Sequence, residues 1–414
     1  MFTSFSTALS ALNAHATAVD VVGNNLANLN TPGFKASAVA FHDLVTQSAG
    51  AGLGETQVGF GVGRPTTIRQ FSQGAIQTSN GSLDAAIQGD GFLIVRKDSG
   101  ETLYTRGGNL KVDRYGNLMT TTGEKVQGWT EANGVLSTVG PIGDILVPVG
   151  TLKAPIPSTE FSFDLNLDAT ATAGPPPDTF STAIEVFDSL GTSHVITVAF
   201  TRSATANQWD YAISIPDADV TNPIAPVTGT VTFDANGNLT SPAAGAAMPA
   251  ISVAGLVNGA STMDLTWQLY SGANPRLTQY AQPSAVSANA QDGSPAAQLV
   301  RVGIGDGGIV LAQYSNGEQK VVGQLAMASV RNPESLIAVG DNNYQLSARS
   351  ALPAIGVPGT GGRGDILGGA VENSTVDIAR EFTNLIVYQR GYQASARVVT
   401  TVDELSQETI NLKR

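Results

Sequence analysis

MFTSFSTALSALNAHATAVDVVGNNLANLN, residues 1–30, decides how this chain is read. Phe2, Phe5, Leu9, Leu12, Ala16, Val19, Gly23 and Leu26 recur at alternating spacings of three and four, the heptad stripe of a helix with one apolar seam. The helix is expected to stop in Asn28-Leu29-Asn30-Thr31-Pro32-Gly33, where proline removes a backbone donor and glycine tolerates a left-handed turn. A second stripe lies at the other end: Ile378, Phe382, Leu385, Tyr388, Tyr392, Ser395, Val399, Val402 and Leu405. That helix is expected from about Asn373 to Leu412, with Ser374 and Asp377 as its capping box. Gly391 inside it costs about 1 kcal/mol relative to alanine.

Between the helices the chain reads as short strands, among them Phe92–Arg96, Ile184–Phe187, His194–Phe200, Trp209–Ile215 and Met263–Leu269. Residues 112–118 and 233–239 are alike and read as hairpin turns with Asn and Gly at the corner. Prolines at 141, 148, 155 and 157, and again at 275, 283 and 295, mark domain edges. The expected fold class is mainly β with α-helical termini. Residues 1–34 and 371–414 are the terminal, coiled-coil-forming helices, joined to the body by a segment at 35–70. Residues 71–147 and 281–370 form an inner β-rich domain, and 148–280 form an outer β-domain inserted into it.

The composition excludes several functions. A net charge of −12 leaves no basic footprint for nucleic acid and no electrostatic hold on anionic lipid. No run of apolar residues is long enough for membrane insertion. The chain has no cysteine, so disulfides and thiolate chemistry are ruled out. The amphipathic N-terminus is unlike a cleaved secretory signal. His15, His42 and His194 show no zinc spacing. Asp113 to Glu124 has the length of a calcium loop but Leu118 where glycine is needed. Gly303–Gly308 lacks the lysine of a phosphate loop, and no Gly-x-Ser-x-Gly elbow occurs. No catalytic, cofactor-binding or metal-binding residue is therefore assigned, and the chain is not read as an enzyme.

Pairing the two stripes within one chain would leave large side chains such as Phe2, Phe5, Phe382 and Tyr392 partly wet. Packing against other copies covers them, and contacts of that kind that do not close generate a helical filament. An intramolecular coiled-coil stalk is the other arrangement the periodicity allows. The predicted subunit interface comprises Phe2, Phe5, Leu9, Leu12, Val19, Leu26, Ile378, Phe382, Leu385, Tyr388, Tyr392, Val399, Val402 and Leu405. Arg390 and Arg397, seven apart, read either as partners for an acidic residue such as Asp20 of another copy or as a solvated face.

At these residues the chain resembles the axial proteins of the bacterial flagellum, the rod, hook and hook-associated family. Asn24-Asn25-Leu26-Ala27-Asn28 followed by Asn30-Thr31-Pro32-Gly33-Phe34-Lys35 looks like that family's N-terminal signature. Phe71-Ser72-Gln73-Gly74, Leu83 to Phe92 and Tyr104 to Asn109 match a second block. Glu372 to Asp377 and Gln389 to Ala394 match the final helix. The extra middle domain is similar to that of the hook members. The resemblance implies a hollow, curved tube outside the cell that joins rod to filament and transmits torque as a universal joint. It implies as partners the chain itself, the distal rod, the hook cap, the hook–filament junction protein and the flagellar type III export gate. Phe5 and Leu9 are similar to the element such gates recognise, so export without a cleaved signal is expected. A distal-rod or junction protein is the alternative within the family. A secreted β-sandwich binding protein is the alternative outside it, with three tryptophans as a thin basis for a sugar-binding face.

Overall fold

The computed structural model describes residues 2–44, 46–48, 57–132 and 135–411. It is mainly β, with one long helix at each end: α1, Phe2–Ala27, and α2, Ile378–Asn411. The chain divides into two compact units. Unit 1 holds residues 1–149, 301–313 and 319–414, and unit 2 holds 150–300 and 314–318.

In unit 1 the strand Lys125–Ala132 pairs antiparallel with Phe92–Arg96 and with Gln319–Leu325. Phe92–Arg96 pairs in turn with Thr102–Thr105. Phe92, Leu93, Ile94 and Val95 are all buried, so both faces of this strand are covered. The rings of Phe71, Phe92 and Tyr344 meet edge to face at 5.3–5.7 Å, the geometry their quadrupoles favour.

Unit 2 is built from two sheets that enclose one apolar core. The first runs Thr179–Phe187, Ser193–Arg202, Gln208–Ser214, Val227–Phe233 and Leu239–Ser241, each antiparallel to the next. In the second, Glu160–Asp168 runs parallel to Met263–Trp267 and to Leu277–Tyr280, and antiparallel to Ala285–Gln291. His194, Ile196, Val198 and Phe200 alternate inward as the pleat requires. Trp267 lies at the centre, stacked on Phe161 and edge-on to Phe200 and Tyr211. Tyr211 faces Gly229 across the ladder, and its hydroxyl occupies the space a side chain at 229 would need.

The two expected hairpins are present. Asp113 Oδ1 accepts hydrogen bonds from the backbone N–H of Tyr115 and Asn117, and Asp234 Oδ1 from those of Asn236 and Asn238, all at 2.8 Å. Gly116 and Gly237 supply the positive φ at each corner.

Two boundaries differ from the sequence reading. Residues 281–300 and 314–318, expected with the inner domain, belong to unit 2, because Ala285–Gln291 completes its second sheet and Ser315 N–H donates to Gln298 O at 2.8 Å. The start of α2 is later than Asn373, because Ala370–Glu372 is held as a strand against Ile76–Thr78. Its cap is Asp377, whose Oδ1 accepts from the N–H of Ala379 at 2.9 Å and of Arg380 at 3.1 Å. Leu412 lies outside the described residues.

Candidate assembly interface

The two helices run antiparallel. His15 sits on Gly391, Ala16 lies near Gln393, and Val22 shares a cavity with Glu381 and Asn384. The buried positions of α1 are Ala8, Ala14, Ala18, Val22 and Asn25, a seam of mostly small side chains. Small residues permit close approach but bury little area, so α1 in one copy is weakly stabilised by apolar burial.

The expected stripe lies largely beside that seam. Phe5, Leu9, Ile378, Phe382, Tyr392 and Leu405 are each 40–51% exposed in the single copy. Leu12, Val19, Leu26, Leu385, Tyr388, Val399 and Val402 are half-buried. The side chain of Phe2 lies outside the described residues. Ile386, Val387, Val398 and Ile410, which the heptad count passed over, are also exposed. The antiparallel pair therefore covers one side of each helix and leaves large apolar side chains in water on another.

Gly391 has a packing reason the sequence did not disclose. A Cβ there would lie 2.5 Å from His15 Cε1 and 2.6 Å from Nε2. The imidazole fills that hollow against the rings of Phe41 and Tyr388. Of the other histidines, His42 Nε2 lies 2.9 Å from Thr66 Oγ1, and His194 lies between Asp188 and Asp219.

The motif at the foot of α1 forms the joint between both chain ends and the body of unit 1. Asn25 Nδ2 donates to Ser37 O at 2.8 Å, and Ser37 N–H donates back to Asn25 Oδ1 at 3.0 Å. Asn28 Nδ2 donates to Asn24 O, and Thr31 Oγ1 to Asn28 Oδ1. Ala27, the last residue of α1, and Asn30 in the following turn carry no such role. Gly33 has φ 71°, and a Cβ there would meet Arg106 O at 2.6 Å. Phe34 packs with Ala36 and Val376.

Beneath them lies a buried ionic cluster. Lys35 Nζ donates to Glu372 Oε1 at 2.6 Å and to Ser72 O at 2.6 Å, and both charged side chains are fully buried. Glu372 also accepts from Gly74 N–H at 2.7 Å and from Arg106 Nη1 at 3.4 Å, while its carbonyl accepts from Gly33 N–H. Burial and the neighbouring Arg106 push the Lys35 ammonium below its ordinary pKa, against the pull of Glu372. The sequence offered one signal for this joint, a lysine, an arginine and a glutamate within motifs that carry few other charges. It did not say that they meet.

Helical ends with an unfinished apolar surface, a built joint at their foot and a β-rich body define a subunit of the flagellar axial kind. Four family models match in chain order: flagella basal body rod protein at 5–35, flagellar hook protein FlgE/F/G D1 domain at 86–166, flagellar basal body protein FlaE D2 domain at 164–294, and flagellar basal body rod FlgEFG protein C-terminal at 367–412. The chain is 32% identical over its whole length to the flagellar hook protein FlgE of Borreliella burgdorferi, and 31% identical to that of Treponema pallidum, in each case covering 100% of both chains. A crystal structure of the flagellar hook protein FlgE2 of Helicobacter pylori shares the fold, with TM-score 0.51 at 14% identity over 70% of this chain and 99% of that one. The chain belongs to the flagellar hook protein family and is a structural subunit of the hook, in the extracellular part of the flagellum.

Proposed function

We propose that copies of this chain polymerise through the uncovered faces of α1 and α2 into a hollow, curved tube that couples rod to filament as a universal joint. One observation carries the reading: Phe5, Leu9, Phe382 and Leu405 remain 41–51% exposed after the two helices have paired. Covering what remains exposed of each such side chain stabilises by about 0.7–1.5 kcal/mol, half the value for full burial, and neighbouring copies are the surface that matches them in number and periodicity. Leu12, Val19, Leu26, Ile378, Leu385, Tyr388, Tyr392, Val399 and Val402 border that surface and belong to the same interface. The Asn24–Phe34 motif sets the angle at which the helices leave the body.

The helices are weakly held in one copy, so their order is gained on assembly. Ordering about 60 helical residues costs roughly 1–2 kcal/mol each, more than the alanine seam returns. The distal rod, hook cap and hook–filament junction protein meet the ends of such a tube, and Phe5 with Leu9 serves the export gate before the helices pack. No chemistry is assigned to the chain. Electron microscopy of purified, concentrated chain, with and without seeds, tests the reading. Hollow tubes are expected, and a monodisperse solution at every concentration overturns it.

A further inference from the structure

Glu381 is an anomaly in the terminal helices. It stands in the first turn of α2 and is 7% exposed, yet its Oε2 is buried without a hydrogen-bond partner among the described residues. It does not cap the helix, because Asp377 already accepts the free N–H groups of Ala379 and Arg380. An unpaired buried carboxylate oxygen costs far more than a neutral one, so it calls for a donor. Glu381 lines a cavity of about 210 Å³ at the foot of the helix pair, walled by Val22, Val39 and Tyr388 and carrying Asp377 as a second carboxylate.

We infer that this cavity is a socket for a guanidinium from a second copy of the chain. The inference rests on the reading that copies assemble through these helices. A cavity with two carboxylates and an apolar wall favours a flat, weakly hydrated cation that donates several hydrogen bonds. The helices themselves limit the donors. α1 has no lysine or arginine, and α2 has only Arg380, Arg390 and Arg397. Arg380 lines the same cavity, and it forms no ion pair among the described residues. Arg390 and Arg397 are exposed, lie seven residues apart, and form no ion pair among the described residues. One copy thus carries a buried acceptor without a donor and two exposed donors without an acceptor, on the elements that assembly brings together.

The test is E381Q, alone and combined with R390Q and with R397Q, beside wild type in seeded assembly. E381Q is expected to raise the concentration needed for tube growth roughly tenfold or more, because a buried charged hydrogen bond across copies is lost. It is expected to leave the melting temperature of the dilute single copy unchanged or higher. The arginine that fills the socket is the one whose removal adds nothing to E381Q. Fully additive losses with both arginines overturn the inference, as does wild-type growth by E381Q, or a destabilised single copy, which would place the donor within the chain. If wild type itself grows no tubes, the assembly reading fails instead.

Discussion

Unit 2 contains thirteen acidic residues against three basic ones, whereas unit 1 contains twenty-one against nineteen. Nearly all of the chain's net charge therefore sits on a quarter fewer than half of its residues. The apolar surface is divided the opposite way. Unit 2 gathers one continuous core from Phe161 to Leu277 and exposes large apolar side chains singly, such as Leu152, Leu190 and Val257, while unit 1 leaves a row of them uncovered on α1 and α2. The contrast separates two tasks. A body with a closed core and like charge outside is stable alone and repels its copies at long range. A helix pair with an open apolar face is incomplete until copies meet.

Four experiments break or sharpen that contrast. Removal of residues 2–27 should abolish tube growth, whereas removal of residues 150–300 should leave tubes with altered bending. If the second deletion also abolishes growth under electron microscopy, the division of tasks is wrong. Next in size, Trp267→Ala in unit 2 and Glu372→Ala in unit 1 should each cost about 3–5 kcal/mol in denaturant unfolding, the first by opening a cavity and the second by stranding Lys35. Lys35→Met with Glu372→Met should recover most of the second loss.

Acid should destabilise unit 2 through Asp188. Asp188 is held at about 2, against the cost of its burial, by hydrogen bonds from Asn258, His194 and the N–H groups of Thr192 and Leu190. Its folded pKa is depressed, so its contribution is present above the unfolded value near 4 and is lost as pH falls from there toward 2. Asp188→Asn should flatten that part of the pH profile of unit 2 unfolding, followed by tryptophan fluorescence. The smallest effect is expected at the helices. Gly391→Ala should destabilise the pair by about 1–3 kcal/mol through overpacking on His15, and His15→Ala should relieve it, read by helix content during assembly.

Much of this was legible in the sequence, and the reason is periodicity. The spacing of Phe5, Leu9, Phe382 and Leu405 located both helices, and the strand expected at His194–Phe200 falls within Ser193–Arg202. Periodicity says which side chains share a face, but not what that face meets. For that reason the stripe gave no hint that Ala8, Ala14 and Ala18 would be the buried residues of α1. Contacts that bind distant segments were also hidden. Nothing local to Lys35 names Glu372, and nothing local to Gly391 names His15. The late start of α2 has the same origin, since Ala370–Glu372 is held by Ile76–Thr78 from far away in the chain.

The Lys35–Glu372 bond spans 337 positions. Whether the polypeptide leaves a ribosome or is threaded through a narrow channel, its first end must wait for nearly all the rest to arrive before this clasp can close. The foot of the helices is therefore fixed last, and the adhesive faces above it gain a steady base only when the molecule has been delivered whole.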